Sequence, residues 1–322
     1  MFNNGLTGSI PEIEDSSRLV ALGLNGCSLS GSLPKSLGQL PSLKHLQLKG
    51  NNIQGSIPSN LISSPSLQTL GLEENNLSGS IPKVMVTQYG TKLEILGLGS
   101  NKLTGSLPDG LDDLTSLKVF YADNNKLTGS IRDTVLGLPK LEKLYLQENS
   151  LTGDLSFFLA DSNVLKDVYL GGNGFTGDLN DFLMVAPPSL ERIDLSEMRS
   201  IGGWMSKSIG NFRSLRYFNV SGCRLGYEIP KEIGRLENLE TLDLSWNDFQ
   251  GTVPNEMADL VSLNWFDISR NRDLGGDLTN SLCLEDHNLE YSLADCAGKI
   301  RVQCECCTHC CTREGECGPN EN

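Results

Sequence analysis

Histidine is scarce, with three residues in a chain of 322, and aromatic side chains make up only 6% of it. So few imidazoles leave little room for acid–base or metal chemistry built on histidine. Lys and Arg nowhere gather into a run of five, and 26 basic residues face 40 acidic ones for a formal net charge of −14. That balance excludes nucleic acid and anionic membrane as natural partners and favours a basic or neutral ligand. No apolar run approaches the roughly 18 residues of a membrane-spanning helix. The opening MFNNGLTGSIP lacks the charged start and apolar core of a signal peptide. The Gly-rich loop, strand lysine, HRD and DFG motifs of a kinase are missing, and the SxxK match Ser32–Lys35 has no SDN or KTG companion. Carboxylates are plentiful, but they are spread along the chain in a pattern that lines an open surface rather than a water-excluding cleft. No catalytic residue, metal or cofactor is assigned, and the chain reads as a non-enzyme.

What is present is a period. The pattern LxxLxLxxN followed by xLxGxIP recurs with its asparagine position at Asn4, Cys27, Asn51, Asn75, Asn101, Asn125, Asn149, Asn173, Met198, Cys223, Asn247 and Asn271, spaced 23 to 26 residues apart. Each unit is too short to bury its own leucines, so stacking must supply the core. In Leu141-Glu142-Lys143-Leu144-Tyr145-Leu146, alternation sends Leu144 and Leu146 inward and Lys143 and Tyr145 outward. In the preceding unit Leu117, Phe120 and Ala122 face the core. The recurring Asn turns its amide toward buried backbone groups at the bend, and the Gly four positions later lets the chain reverse. This repeat, with its GSIP or GSLP endings at Gly8, Gly31, Gly55, Gly79 and Gly105, resembles the plant-type leucine-rich repeat. The resemblance implies an α/β repeat solenoid, a right-handed superhelix with a parallel concave sheet. About 12 repeats span residues 1–282, the first incomplete, which leads us to expect an N-terminally incomplete chain. Two repeats carry one extra residue after the ladder position, Met198-Arg199-Ser200-Ile201 and Asn271-Arg272-Asp273-Leu274, and both should bulge there.

Cysteine falls into two groups. Cys27 and Cys223 sit at ladder positions too many rungs apart to pair, and read as buried thiols. Cys283, Cys296, Cys304, Cys306, Cys307, Cys310, Cys311 and Cys317 crowd residues 283–322, where the repeat has ended. They read as disulfides of a C-terminal cap and tail in an oxidising compartment, with zinc at CECCTHCC, His309 and His287 as the competing reading. Plant-type repeats joined to a tail ADC…VQCECCTHCC resemble extracellular leucine-rich repeat proteins of diatoms. An extracellular or cell-surface location follows from that resemblance.

The central outward position of successive strands reads Gly23, Gln47, Gly71, Gly97, Tyr121, Tyr145, Tyr169, Asp194, Asn219, Asp243 and Asp267, with Tyr217, Trp246 and Trp265 in adjacent columns. Aromatic residues beside fixed acids suit a peptide or protein ligand of basic character. A non-catalytic recognition module, part of a receptor-like ectodomain, is the leading expectation. The alternatives are a polygalacturonase-inhibitor-like inhibitor of a glycosidase, a glycan binder, or a structural wall or matrix protein. Asn76 and Asn219 begin glycosylation sequons.

Overall fold

The structure is a computed structural model that describes residues 5–13, 18–84, 91–131, 137–156, 158–159, 162, 164–279, 282–283, 289–296, 302–312 and 316–319. Asn4 and His287 lie outside these. The chain divides into two compact units, residues 1–153 and 154–322. In the first, the strands Ala21–Gly23, His45–Gln47, Thr69–Gly71, Ile95–Gly97, Val119–Tyr121 and Lys143–Tyr145 lie side by side in chain order, all parallel. From the second of these strands on, the middle residues Leu46, Leu70, Leu96, Phe120 and Leu144 are fully buried, as strand alternation requires. A second parallel layer, including Asn76–Ser80, Lys102–Gly105 and Lys126–Ser130, runs along the other side of each rung. Between the layers a rung of some 24 residues leaves room only for short connectors. These are mostly single 3-10 turns such as Lys35–Gln39 and Leu111–Asp113, with Leu37 and Leu111 buried as their core contacts.

The second unit repeats the plan with Asp167–Tyr169, Arg192–Asp194, Tyr217–Asn219, Thr241–Asp243 and Trp265–Asp267. Two further parallel strands, Tyr291–Ala294 and His309–Cys311, extend this sheet into the cysteine-rich segment, and antiparallel Cys317–Pro319 ends it. The cysteines of that segment pair as Cys283–Cys306, Cys296–Cys310, Cys304–Cys307 and Cys311–Cys317. Sγ atoms of Cys283, Cys304 and Cys306 cluster within 4.8 Å, yet each belongs to a disulfide and has no thiolate to offer a metal. Cys27 and Cys223 are unpaired and buried.

The ladder is polar carpentry between rungs. Asn247 donates from Nδ2 to the carbonyls of Leu244 and Ser245 in its own rung and of Val220 in the rung before, and its Oδ1 accepts from the Leu225 amide. Asn51, Asn75, Asn101, Asn125, Asn149 and Asn271 repeat this cross-rung pattern, for example Asn75 to the Leu48 carbonyl and from the Ile53 amide. Asn173 bonds the carbonyls of Leu170 and Gly171. Cys223 supplies half of this function: its Sγ donates to the Leu195 carbonyl at 3.2 Å but has no comparable acceptor to return.

One inserted residue lies beside that deficit. In a regular rung the amide two residues past the ladder position is held by the next rung's Asn. Before Cys223 no such acceptor exists, and there the extra residue closes a local turn in which the Ile201 amide donates to the Met198 carbonyl at 2.9 Å. After Asn271, where the sequence has no further ladder Asn, the Leu274 amide donates to the Asn271 carbonyl in the same way. Each bulge satisfies within its own rung a buried amide that the next rung cannot reach. Met198 itself is fully buried as an apolar substitute.

Candidate functional site

In the second unit the central column forms as the alternation predicts: Tyr169 pairs with Asp194, Asp194 with Asn219, Asn219 with Asp243, and Asp243 with Asp267. A serine two residues after each polar member holds it in place. Oδ1 of Asp194 accepts from the Ser196 hydroxyl and amide at 2.6 and 3.0 Å, and Oδ1 of Asp243 from those of Ser245 at 2.7 and 3.0 Å. Asn219 repeats the arrangement with Ser221, and Asp267 accepts from the Ser269 amide at 2.8 Å. One oxygen of each carboxyl is thereby committed to the scaffold, and the side chain is fixed without a cationic partner among these bonds.

Burial in this row works against ionisation. It raises the Asp243 carboxyl above the usual range despite the serine bonds, and it raises Asp267 further, to about 7, with Asp243 and Asp295 adding repulsion. Burial thus disfavours a full negative charge on both neighbouring carboxyls at once.

Aromatic rings flank the row. Tyr217 leans across the Arg192–Asp194 strand, donates its hydroxyl to Asp194 Oδ2 at 3.1 Å and stacks on Tyr169 at 5.7 Å. Burial lifts both phenols, Tyr169 to about 12. Trp265 stacks on Tyr291 at 5.2 Å and 10°, and Tyr291 meets His309 at 5.5 Å. Trp246 stands at the edge, 60% exposed, with the Arg270 guanidinium 4.8 Å above its ring. Tyr291 escaped sequence reasoning because the leucine period stops before it, and the sequence singles out His309 only as a candidate zinc ligand. The signal that could have found Tyr291 is the alternation within Leu289-Glu290-Tyr291-Ser292-Leu293-Ala294. Asn219 Nδ2, where a glycan would attach, lies 3.3 Å from the Tyr217 hydroxyl inside this row, whereas Asn76 begins a strand of the other layer, in the first unit.

The first unit presents different chemistry. Tyr121 and Tyr145 are registered neighbours with ring centroids 4.7 Å apart. Below them in chain order the column holds Gly71 and Gly97: a Cβ at Gly97 would overlap the Glu73 carboxylate, and one at Gly71 would overlap the Gln47 amide and crowd Glu73. Glu73 therefore lies down over the sheet, its carboxyl raised by burial and its Oε2 buried without a hydrogen-bond partner. The repeat gave no reason to single out Glu73. Its position becomes informative only once the two missing side chains beneath it are seen together.

Sequence-family models for the leucine-rich repeat match residues 91–151 and, as single repeats, residues 18–40, 42–63, 214–236 and 238–260. No curated protein sequence matches the chain. Among solved structures, the Arabidopsis receptor kinase HAESA in complex with the peptide hormone IDA and the co-receptor SERK1 is 29% identical with a TM-score of 0.78, covering 98% of this chain and 54% of that one. The plant peptide hormone receptor RGFR1 in complex with RGF2 is 27% identical with a TM-score of 0.72, covering 85% and 47%. A plant ice-binding protein is 28% identical with a TM-score of 0.65, covering 76% and 78%. The chain thus spans about half the length of the receptors it matches.

Proposed function

We propose that this chain, a leucine-rich repeat protein of the plant type, is a non-catalytic extracellular recognition module that binds an extended basic segment of a peptide or protein. The observation that carries the reading is the row Asp194, Asn219, Asp243 and Asp267, held by serines one strand apart and flanked by Tyr217, Trp265 and Tyr291. A Lys or Arg entering between Asp243 and Asp267 would stabilise the second negative charge that burial resists, and the flanking rings would take the ligand's apolar carbons. Tyr121 and Tyr145 offer the first unit's face as an aromatic surface for the same class of ligand. Two of the similar solved structures are receptors in complex with peptide hormones, which supports a peptide as the partner. The four disulfides support an oxidising, extracellular or cell-surface location.

The test is a screen of secreted peptides against the full chain, followed by Asp243→Asn, Asp267→Asn and Tyr145→Ala. Binding should weaken with salt in the wild type and lose that salt dependence in the aspartate variants. Because a cation would draw the proton from Asp267, binding between about pH 5 and 7 should release protons into the buffer. A peptide partner whose affinity ignores all three substitutions refutes the assignment of this face.

A further inference from the structure

The internal repeats of the chain act as controls for one another, and one pair of adjacent rungs breaks their rule in concert. At the glycine position of the LxGxIP segment, Gly8, Gly31, Gly55, Gly79, Gly105, Gly129, Gly153, Gly177, Gly203, Gly251 and Gly276 all take positive φ. The remaining rung places Tyr227 there, at φ 64. A bulky L-residue is strained in this left-handed conformation, and nothing in the packing rewards it, because the Tyr227 side chain is 62% exposed. In the rung before, the next position of the same segment, commonly Ser, is Trp204, itself 45% exposed. Gly226 is the strand partner of Trp204 and stands where most other rungs carry Thr, Ser or Gln, leaving room beside the indole. The two rings meet edge to face at 6.2 Å and 76°, a corner rather than a filled stack.

This corner opens onto a groove of about 610 Å³ on the second layer, away from the aspartate row, whose polar lining includes Glu228, Glu232, Gln250 and Thr252, with Lys207 and Lys231 beside them. Two acids and two bases cancel, so the groove selects for no net charge. Glu232 Oε2 is buried with no hydrogen-bond partner, an acceptor awaiting a donor. Exposed rings that offer apolar faces, together with amide, hydroxyl and carboxylate groups at their edge, match a ring that is apolar on its faces and hydroxylated around its rim.

We propose that the Trp204–Tyr227 groove is a binding site for a neutral pyranose oligosaccharide, one ring stacking on the sugar face and the polar lining taking its hydroxyls. The strained backbone at Tyr227 is retained because it aims that ring. The site is separate from the proposed peptide surface and does not depend on it.

The experiment titrates the full chain with cellohexaose, laminarihexaose and mannohexaose, with hexagalacturonate and a basic peptide as charged probes, following heat and tryptophan emission. Trp204→Ser and Tyr227→Gly restore the consensus of the other rungs. At least one neutral oligosaccharide should bind, and each variant should weaken it by about tenfold or more. Tyr227→Gly should also melt at a higher temperature than wild type, so lost binding cannot be ascribed to misfolding. Asp243→Asn should leave the sugar affinity unchanged. The proposal is overturned if no neutral oligosaccharide binds, if the charged probes alone occupy the groove, or if Tyr227→Gly binds sugar as wild type does.

Discussion

Replacing Asn247 by alanine is the most direct test of the ladder. Its Nδ2 spreads two hydrogens over the carbonyls of Val220, Leu244 and Ser245 at 2.8, 3.1 and 3.1 Å, and its Oδ1 holds the Leu225 amide at 3.0 Å. Asn247 is 5% exposed and Leu225 fully buried, so water cannot readily replace these bonds. Three effective bonds at about 1 kcal/mol each, plus the penalty for the stranded amide, give a loss of about 3–5 kcal/mol. For a chain of this size that corresponds to a melting temperature lower by roughly 4–7 °C. The chemistry also orders the alternatives. Asn247→Cys should cost least, because Cys223 shows a ladder thiol donating to one carbonyl. Asn247→Asp should cost more than alanine at neutral pH, since it keeps the acceptor but sets a carboxylate against three carbonyls. Thermal and urea melts followed by circular dichroism read all three, with Leu242→Ala as a cavity comparator at about 2–5 kcal/mol. An alanine variant within about 0.5 kcal/mol of wild type, or an aspartate variant milder than alanine, would refute the assignment of these bonds as the cross-rung staple.

Asp267 keeps its proton in the folded chain up to about pH 7, against a reference value of 3.8 unfolded. The folded state therefore binds more protons across that window, and this group erodes stability as pH rises from about 4 to 7. Asp267→Asn should raise the melting temperature at about pH 8 and change it little at about pH 4; equal effects at both would show that the carboxyl ionises normally. Thiol labelling should find Cys27 and Cys223 reactive only after unfolding, since both are buried and burial pushes the Cys223 thiol up to about 12. Mass spectrometry without reduction should recover the four C-terminal disulfide-linked pairs, and reduced cysteines with bound zinc would contradict them. Deleting the extra residue Arg199 while restoring Cys223→Asn should be better tolerated than the deletion alone, a coupling measured by a double-mutant cycle in urea.

Within one rung, local chemistry is enough to read the structure. Alternation placed Leu117, Phe120, Leu144 and Leu146 inside and Tyr145, Asp194, Asp243 and Asp267 outside, because a strand has a period of two whatever surrounds it. The ladder asparagines were legible for the same reason, since a buried bend must satisfy its backbone and Asn carries both donor and acceptor. Between rungs the sequence is silent, because what matters there is which side chains fall one strand apart and how far each leans. Only the folded chain brings Tyr217 over Asp194 and against Tyr169, lays Glu73 across Gly71 and Gly97, and buries Asp267 far enough to hold its proton. Only it selects four pairings among eight crowded cysteines, continues the sheet through Tyr291 and His309, and turns the one Tyr in a column of glycines into a strained, exposed ring beside Trp204. The sequence by itself determined the rung and its two faces, since these depend on neighbours along the chain. Tertiary structure decided which faces carry chemistry, since desolvation and ring-to-ring contact are properties of neighbours in space.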